Sequence, residues 1–175
     1  RMATGDIVGL VHSDDMLTYP RALHDVAHHM EQTHADMTYA NGTLVKADDT
    51  THTVRRWKSG SYSQRKVRHG WLPLHTTVFL RRDVMMRLGL YDTTYRIASD
   101  SELLVRYMKD GRLNISYLDR YISTRRMGGL STNPRNIALM WREDLRLYRQ
   151  HGIPALPAKL LKMARKLPQY ITPGR

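Results

Sequence analysis

Short apolar runs alternate with amphipathic stretches along the chain, a pattern that predicts an α/β protein with no internal repeat. Residues 6–11, carrying Ile7, Val8, Leu10 and Val11, form a buried strand. Tyr19-Pro20 opens a helix to about residue 33, because proline suits the first helical turn. Residues 36–46 read as a hairpin, since Asn41-Gly42 supplies the positive φ angles of a tight two-residue turn. Residues 51–57 make a third strand, and the Ser-, Gly- and cation-rich stretch 58–70 a mobile loop. A strand at 76–81, a short helix at 82–88 stopped by Gly89 and an irregular segment at 91–98 follow.

Ser99-Asp100-Ser101-Glu102 has the spacing of a capping box, which starts a helix that ends near Lys109-Asp110-Gly111. A strand covers 113–124, Gly128-Gly129 makes a turn, and a helix spans 134–150. In a last helix, 156–171, Leu160, Met163, Ala164, Leu167 and Ile171 form one stripe with lysines opposite. Packing of that stripe on the body is one expectation. The other is a basic amphipathic helix lying on an anionic membrane.

Length and charge narrow the classes. A chain of 175 residues suffices for one domain with a real core. With 28 Lys and Arg against 16 Asp and Glu, the net charge of +12 implies an anionic partner: nucleic acid, anionic lipid or a phosphorylated substrate. Arg55, Arg56, Lys58, Arg65, Lys66 and Arg68 crowd the middle, and the acids cluster elsewhere. There is no cysteine, which excludes disulfides and thiolate metal sites. No apolar run reaches the roughly 20 residues of a membrane span, and the first residues do not form a signal peptide.

Against this basic background, His12-Ser13-Asp14-Asp15 at a strand's carboxyl end needs a reason. A divalent cation carrying a phosphorylated ligand is one, since hard cations take carboxylate oxygens. Simple turn-capping by the aspartates is the other. His24, His28 and His29 lie on the first helix, where positions four apart share a face, but no matching third ligand is evident, which argues against zinc there. Trp57, Trp71 and Trp141 are core residues or an acceptor platform.

The order Ala3-Thr-Gly-Asp6, strand, Ser13-Asp14-Asp15, Pro73-Leu-His75, Phe79-Leu-Arg-Arg82, Gly89-Leu-Tyr-Asp92, Ser99-Asp100 and Arg126-Met-Gly-Gly129-Leu-Ser131 resembles the inverting family 2 glycosyltransferases, most of all the bacterial branch that builds exopolysaccharide and lipopolysaccharide. The resemblance runs over nearly the whole chain. It implies the C-terminal part of a GT-A fold: a Rossmann-like, nucleotide-diphospho-sugar transferase architecture with a mixed sheet, flanking helices and a helical C-terminus. Residues 1–133 would be a partial catalytic domain holding the metal, acceptor and base elements, and 134–175 a helical extension.

The implied activity is hexosyl or related transfer from a nucleotide-diphosphate sugar to a glycan or lipid-linked acceptor, assisted by Mn²⁺ or Mg²⁺. Asp14 matches the family's metal-binding motif. His12 stands where many members have Asp, and an imidazole can also ligate Mn²⁺. Asp15 and Ser13 fall on the donor side, and Arg65 and Lys66 of the basic loop would offset charge on the departing diphosphate. Asp100 matches the catalytic base, with Ser99 replacing the usual Glu; helix-start amides favour its ionised form. Trp71, His75, Ser99, Gly128 and Gly129 fall on the acceptor side, although a structural role suits His75 and the Gly pair as well.

In relatives a strand–helix–strand section carrying the nucleoside contacts precedes the Ala3 position, so this chain alone is expected to bind donor weakly and turn over little. The implied location is cytoplasmic, with peripheral attachment to the inner face of the cytoplasmic membrane. Two alternatives stay open: a catalytically inactive remnant or partner-binding module, and a nucleic-acid binder argued from charge. No nucleic-acid motif supports the second, so nucleic acid is not an expected partner.

Overall fold

A computed structural model of the chain describes residues 2–128 and 134–165. At its centre is β3 (Met37–Val45), a nine-residue strand that pairs with three others. Its first half runs antiparallel to β5 (Val78–Arg81) and its second half antiparallel to β4 (Thr53–Trp57). Along its other side it is parallel to β6 (Ile115–Arg126). The edges are β1 (Ile7–Gly9), antiparallel to β5, and β2 (Asp15–Leu17), antiparallel to β6, which gives a mixed six-stranded sheet ordered β1-β5-β3-β6-β2 with β4 beside β3.

Alternation along these strands divides the core. Met37, Tyr39, Val78 and Leu80 face one side, with α4 (Ser99–Met108), α5 (Ile137–Gln150) and α6 (Ala155–Ala164) contributing Leu104, Val105, Leu147, Tyr148 and Ala158 to the same buried cluster. Ala40, Phe79 and Ile122 face the other side, under α1 (Ala22–Thr33). Ala22, Val26 and Met30 recur every fourth residue and are fully buried, so α1 docks by one stripe; a buried Val or Met of this kind contributes about 1.5–3 kcal/mol. The helix stops at His34, whose φ of 50° is left-handed.

Three expectations need correcting. Asn41-Gly42 is not a turn: both residues lie inside β3. Asn41 is buried, and its side chain donates to Asp119 (2.8 Å) while accepting from the Ser59 amide (2.8 Å) and the Tyr117 hydroxyl (2.8 Å). A Cβ on Gly42 would overlap the Leu74 side chain and come within 3.1 Å of the Ser123 carbonyl. The glycine therefore serves close approach rather than turning. The dipeptide instead marks a register shift, where Ala40 pairs with Leu118 but Asn41 with Tyr121, leaving Asp119 and Arg120 as a bulge in β6.

The expected loop 58–70 contains a helix, α2 (Gln64–Arg68), capped by the Ser63 side chain accepting from the Lys66 amide and anchored by the buried Val67. The last helix is turned over. Lys159 is buried and, with Lys162, donates to the buried Asp144 of α5, whereas Leu156, Leu160 and Met163 are exposed. Ion pairing to a buried carboxylate decides which face packs; Leu167 and Ile171 lie outside the described residues.

Candidate functional site

The site gathers at the strand ends nearest β1. After β1 the chain runs through Leu10 and Val11 to His12, then turns at Ser13-Asp14, with the Asp15 amide donating to the His12 carbonyl at 3.1 Å. Strand β2 starts at Asp15, where the sequence pattern predicts no strand. It places Asp15 opposite Arg125 of β6.

His75 begins a 3-10 turn, His75–Thr77, just before β5. This turn is pinned at its far end: the Thr77 hydroxyl bonds to the carbonyls of Leu74 (2.8 Å) and Ala40 (2.9 Å), and Thr76 bonds to Ser123 (3.1 Å).

Asp100 is the second residue of α4, where the helix dipole favours an anion. The capping box is not formed: Ala98 precedes the helix and no side chain caps it. The carboxylate of Glu143, from α5, instead accepts from the amides of Arg96 (2.8 Å), Ile97 (2.9 Å) and Ala98 (2.8 Å). Glu102 pairs with Arg106 and His151, both at 3.0 Å, and Arg106 donates to the carbonyls of Leu88, Gly89 and Leu90. The start of α4 is thereby fixed from two sides.

These three segments bring His12, His75 and Asp100 together. His12 Nε2 and His75 Nε2 lie 2.9 Å apart, with the rings edge to face, and His75 Nε2 lies 3.4 Å from Asp100 Oδ2. One ligand atom from each residue falls within 4.8 Å of the other two. Burial, helped by the Arg125 charge and by the neighbouring His12, pushes the His75 imidazole down to about 3. It is neutral at pH 7, so its contact with Asp100 is not an ion pair. Burial also raises the Asp100 carboxyl, against the opposing pull of His12 and Arg125. Tyr91, half-buried and close to the Asp100 charge, is pushed up to about 12.

Beside the cluster opens a cleft of about 430 Å³. His75 and Asp100 line it together with Val8, Leu80, Met85 and Leu104. A raised carboxyl in the lining of a largely apolar cleft is suited to general-base chemistry.

Asp14, Ser13, Arg65 and Lys66 are exposed. Asp14 sits on the turn after His12 and does not belong to the three-residue cluster. The Asp15 side chain is 1 % exposed and 3.5 Å from Arg125. Burial raises its carboxyl, opposed first by Arg125. Lys66 donates to the Ser61 carbonyl (2.6 Å), and Trp71 to that of Ser59 (3.2 Å) while its ring meets Tyr39. Trp71 thus closes the 58–70 segment onto β3. Ser99 is the first residue of α4, Gly128 has a φ of 120°, and Gly129 lies outside the described residues. Among the described residues the only group of three or more candidate ligands is His12, His75 and Asp100, so His24, His28 and His29 form none.

Two contributors had no signal in the sequence. Arg125 reaches the site from β6, where it is one of several cations in a strand, and its charge acts on both His75 and Asp100. Glu143 lies 43 residues beyond Asp100 in the sequence, and only the packing of α5 beside α4 brings it to the amides before that helix.

No family model matches this sequence, and no curated protein does. Solved structures do. The crystal structure of S. aureus TarS 1-349 superposes with a TM-score of 0.56 at 14 % identity, covering 98 % of this chain and 47 % of that one. A second S. aureus TarS crystal structure gives 0.53 at 15 %, covering 99 % of this chain and 30 % of that one. This chain therefore spans less than half the length of either. TarS is a family 2 glycosyltransferase. At such identity the likeness is one of fold, and the fold is of the glycosyltransferase type, a mixed α/β sheet with flanking helices.

Proposed function

We propose that this chain is the acceptor- and base-bearing part of an inverting glycosyltransferase, moving a hexosyl or related group from a nucleotide-diphosphate sugar to a hydroxyl of a glycan or lipid-linked acceptor in cell-surface polysaccharide synthesis. One observation carries this reading: Asp100, half-buried and with its carboxyl raised, stands at the start of α4 in the lining of a largely apolar cleft in a glycosyltransferase-type fold.

The chemistry follows from that placement. The acceptor hydroxyl gives its proton to a carboxylate oxygen of Asp100 as its oxygen bonds to the anomeric carbon. The bond from that carbon to the diphosphate breaks on the opposite face, and the nucleoside diphosphate leaves with the electron pair. A carboxyl raised by burial holds the proton better than an exposed one, which favours the transfer. Glu143 positions Asp100 through the amides before α4, and Arg125 places positive charge beside it.

A divalent cation, Mn²⁺ or Mg²⁺, would neutralise the leaving diphosphate when bound. The exposed Asp14 carboxylate offers it an oxygen. Arg65 and Lys66, exposed on α2, are the cations proposed to attend the diphosphate.

A peripheral place at an anionic membrane belongs to the same reading. Its support is the exposed Leu156, Leu160 and Met163 on α6 together with a net charge of +12. Among the described residues no helix is long and apolar enough to cross a membrane.

The test is a panel of nucleotide-diphosphate sugars offered with Mn²⁺ to the natural gene product carrying this sequence, with donor binding and nucleoside-diphosphate release both measured. Binding of one donor class with acceptor-dependent release is expected. No binding of any member would favour an inactive or partner-binding module. Affinity for nucleic acid that falls steeply with salt, without response to Mn²⁺, would favour the nucleic-acid reading.

A further inference from the structure

We propose that His12, His75 and Asp100 form a binding site for a single zinc-class transition-metal ion, and that an ion held there withdraws Asp100 from proton transfer. This is a different site from the diphosphate cation at Asp14. Only its effect on transfer rests on the function proposed above.

The spacing supports it. Ligand atoms 2.0–2.1 Å from a tetrahedral Zn²⁺ lie about 3.3 Å from one another. Here two pairs are 2.9 Å and 3.4 Å apart and all three atoms lie within 4.8 Å. Valence supports it too. A ring nitrogen has one in-plane lobe, so His75 Nε2 can donate to one partner or accept from one. It nevertheless faces both the His12 nitrogen and the Asp100 oxygen. A cation at the centre takes one lone pair from each of the three.

The donor set is also selective. Two imidazoles and one carboxylate suit Zn²⁺ or Co²⁺, whereas Mg²⁺ prefers an all-oxygen shell. The cleft lined by His75 and Asp100 leaves room for a water as fourth ligand. The ligands stand on fixed elements, His75 on a turn pinned by Thr76 and Thr77, and Asp100 on a helix start held by Glu143. Arg125, whose charge reaches the site, is paired with Asp15 at 3.5 Å. An Asp100 oxygen that donates its lone pair to a metal cannot also take an acceptor's proton, so bound zinc inhibits transfer.

The site is tested by titrating the metal-stripped 175-residue chain with Co²⁺ and following its visible ligand-field absorption. One Co²⁺ per chain is expected, displaced by Zn²⁺. His75→Gln and Asp100→Asn should each weaken binding roughly tenfold or more, and Asp14→Asn should leave it unchanged. To keep the test independent of how His75→Gln folds, thermal stabilisation of the unaltered chain by Zn²⁺ is measured alongside; no stabilisation and no Co²⁺ band would overturn the site. Loss of the band in Asp14→Asn with retention in His75→Gln would overturn it as well, without touching the proposed glycosyl transfer. If Co²⁺ binds as expected but Zn²⁺ leaves transfer by the natural gene product unchanged, the site stands and its inhibitory role falls, along with Asp100 as base.

Discussion

At the scale of single residues, Asp100 combines a cost in stability with a use in chemistry. Burial raises its carboxyl, so the ionised form is less stable in the folded chain than in the unfolded one. Above its raised value this group subtracts stability, and the penalty fades as pH falls through that value and the carboxyl takes its proton. Asp100→Asn in metal-free buffer should therefore melt at or above the temperature of the unaltered chain, by roughly 2–4 °C for each kcal/mol regained. A clear fall in melting temperature would mean that the carboxylate is held by favourable bonds. Gly42 is the opposite case: its lack of a side chain is structural. Gly42→Ala would drive a methyl into Leu74 and toward the Ser123 carbonyl, and should lower unfolding free energy by about 1–3 kcal/mol in urea titration.

At the scale of elements, the pairing of α5 with α6 combines buried charge with apolar contact. Asp144 is buried; burial alone would raise its carboxyl, yet the ammonium groups of Lys162 and Lys159 hold it below the ordinary value. A depressed carboxyl contributes stability that is present above its unfolded value, near 3.8, and lost as pH falls through the folded one. Asp144→Ala leaves Lys159 buried without its anion and should cost about 3–5 kcal/mol, read by chemical denaturation. Replacing Asp144, Lys159 and Lys162 together by apolar residues should cost far less. The sequence pattern of α6 placed the lysines outward because periodicity records where apolar residues recur, not which charge waits in the body. Asn41-Gly42 misleads for a similar reason. Its turn preference is local and weak against strand pairing on both sides of β3 and three hydrogen bonds to the Asn41 side chain. Elements whose pattern and packing agree were legible from the chain: α1, β4 and the helix Arg82–Leu88 lie within a few residues of expectation.

At the scale of the whole molecule, the sheet order turns dispersed residues into a site. His12 and His75 are 63 positions apart in the chain, and Asp100 lies on a third element. The sequence pointed to each of the three through the resemblance of its motifs, but no spacing rule joins them. Arg125 and Glu143 carried no signal at all, since both are ordinary charged residues until β6 and α5 bring them to the cluster. The fold likeness to TarS covers nearly all of this chain and less than half of that protein, so activity is best assayed in the natural gene product. The most direct test compares donor binding with transfer in that product and in its Asp100→Asn variant. A fall in transfer of roughly 10²–10⁴-fold with donor affinity preserved is the predicted result for loss of a general base. Transfer that survives the substitution, or that is lost only because donor binding is lost, would contradict it.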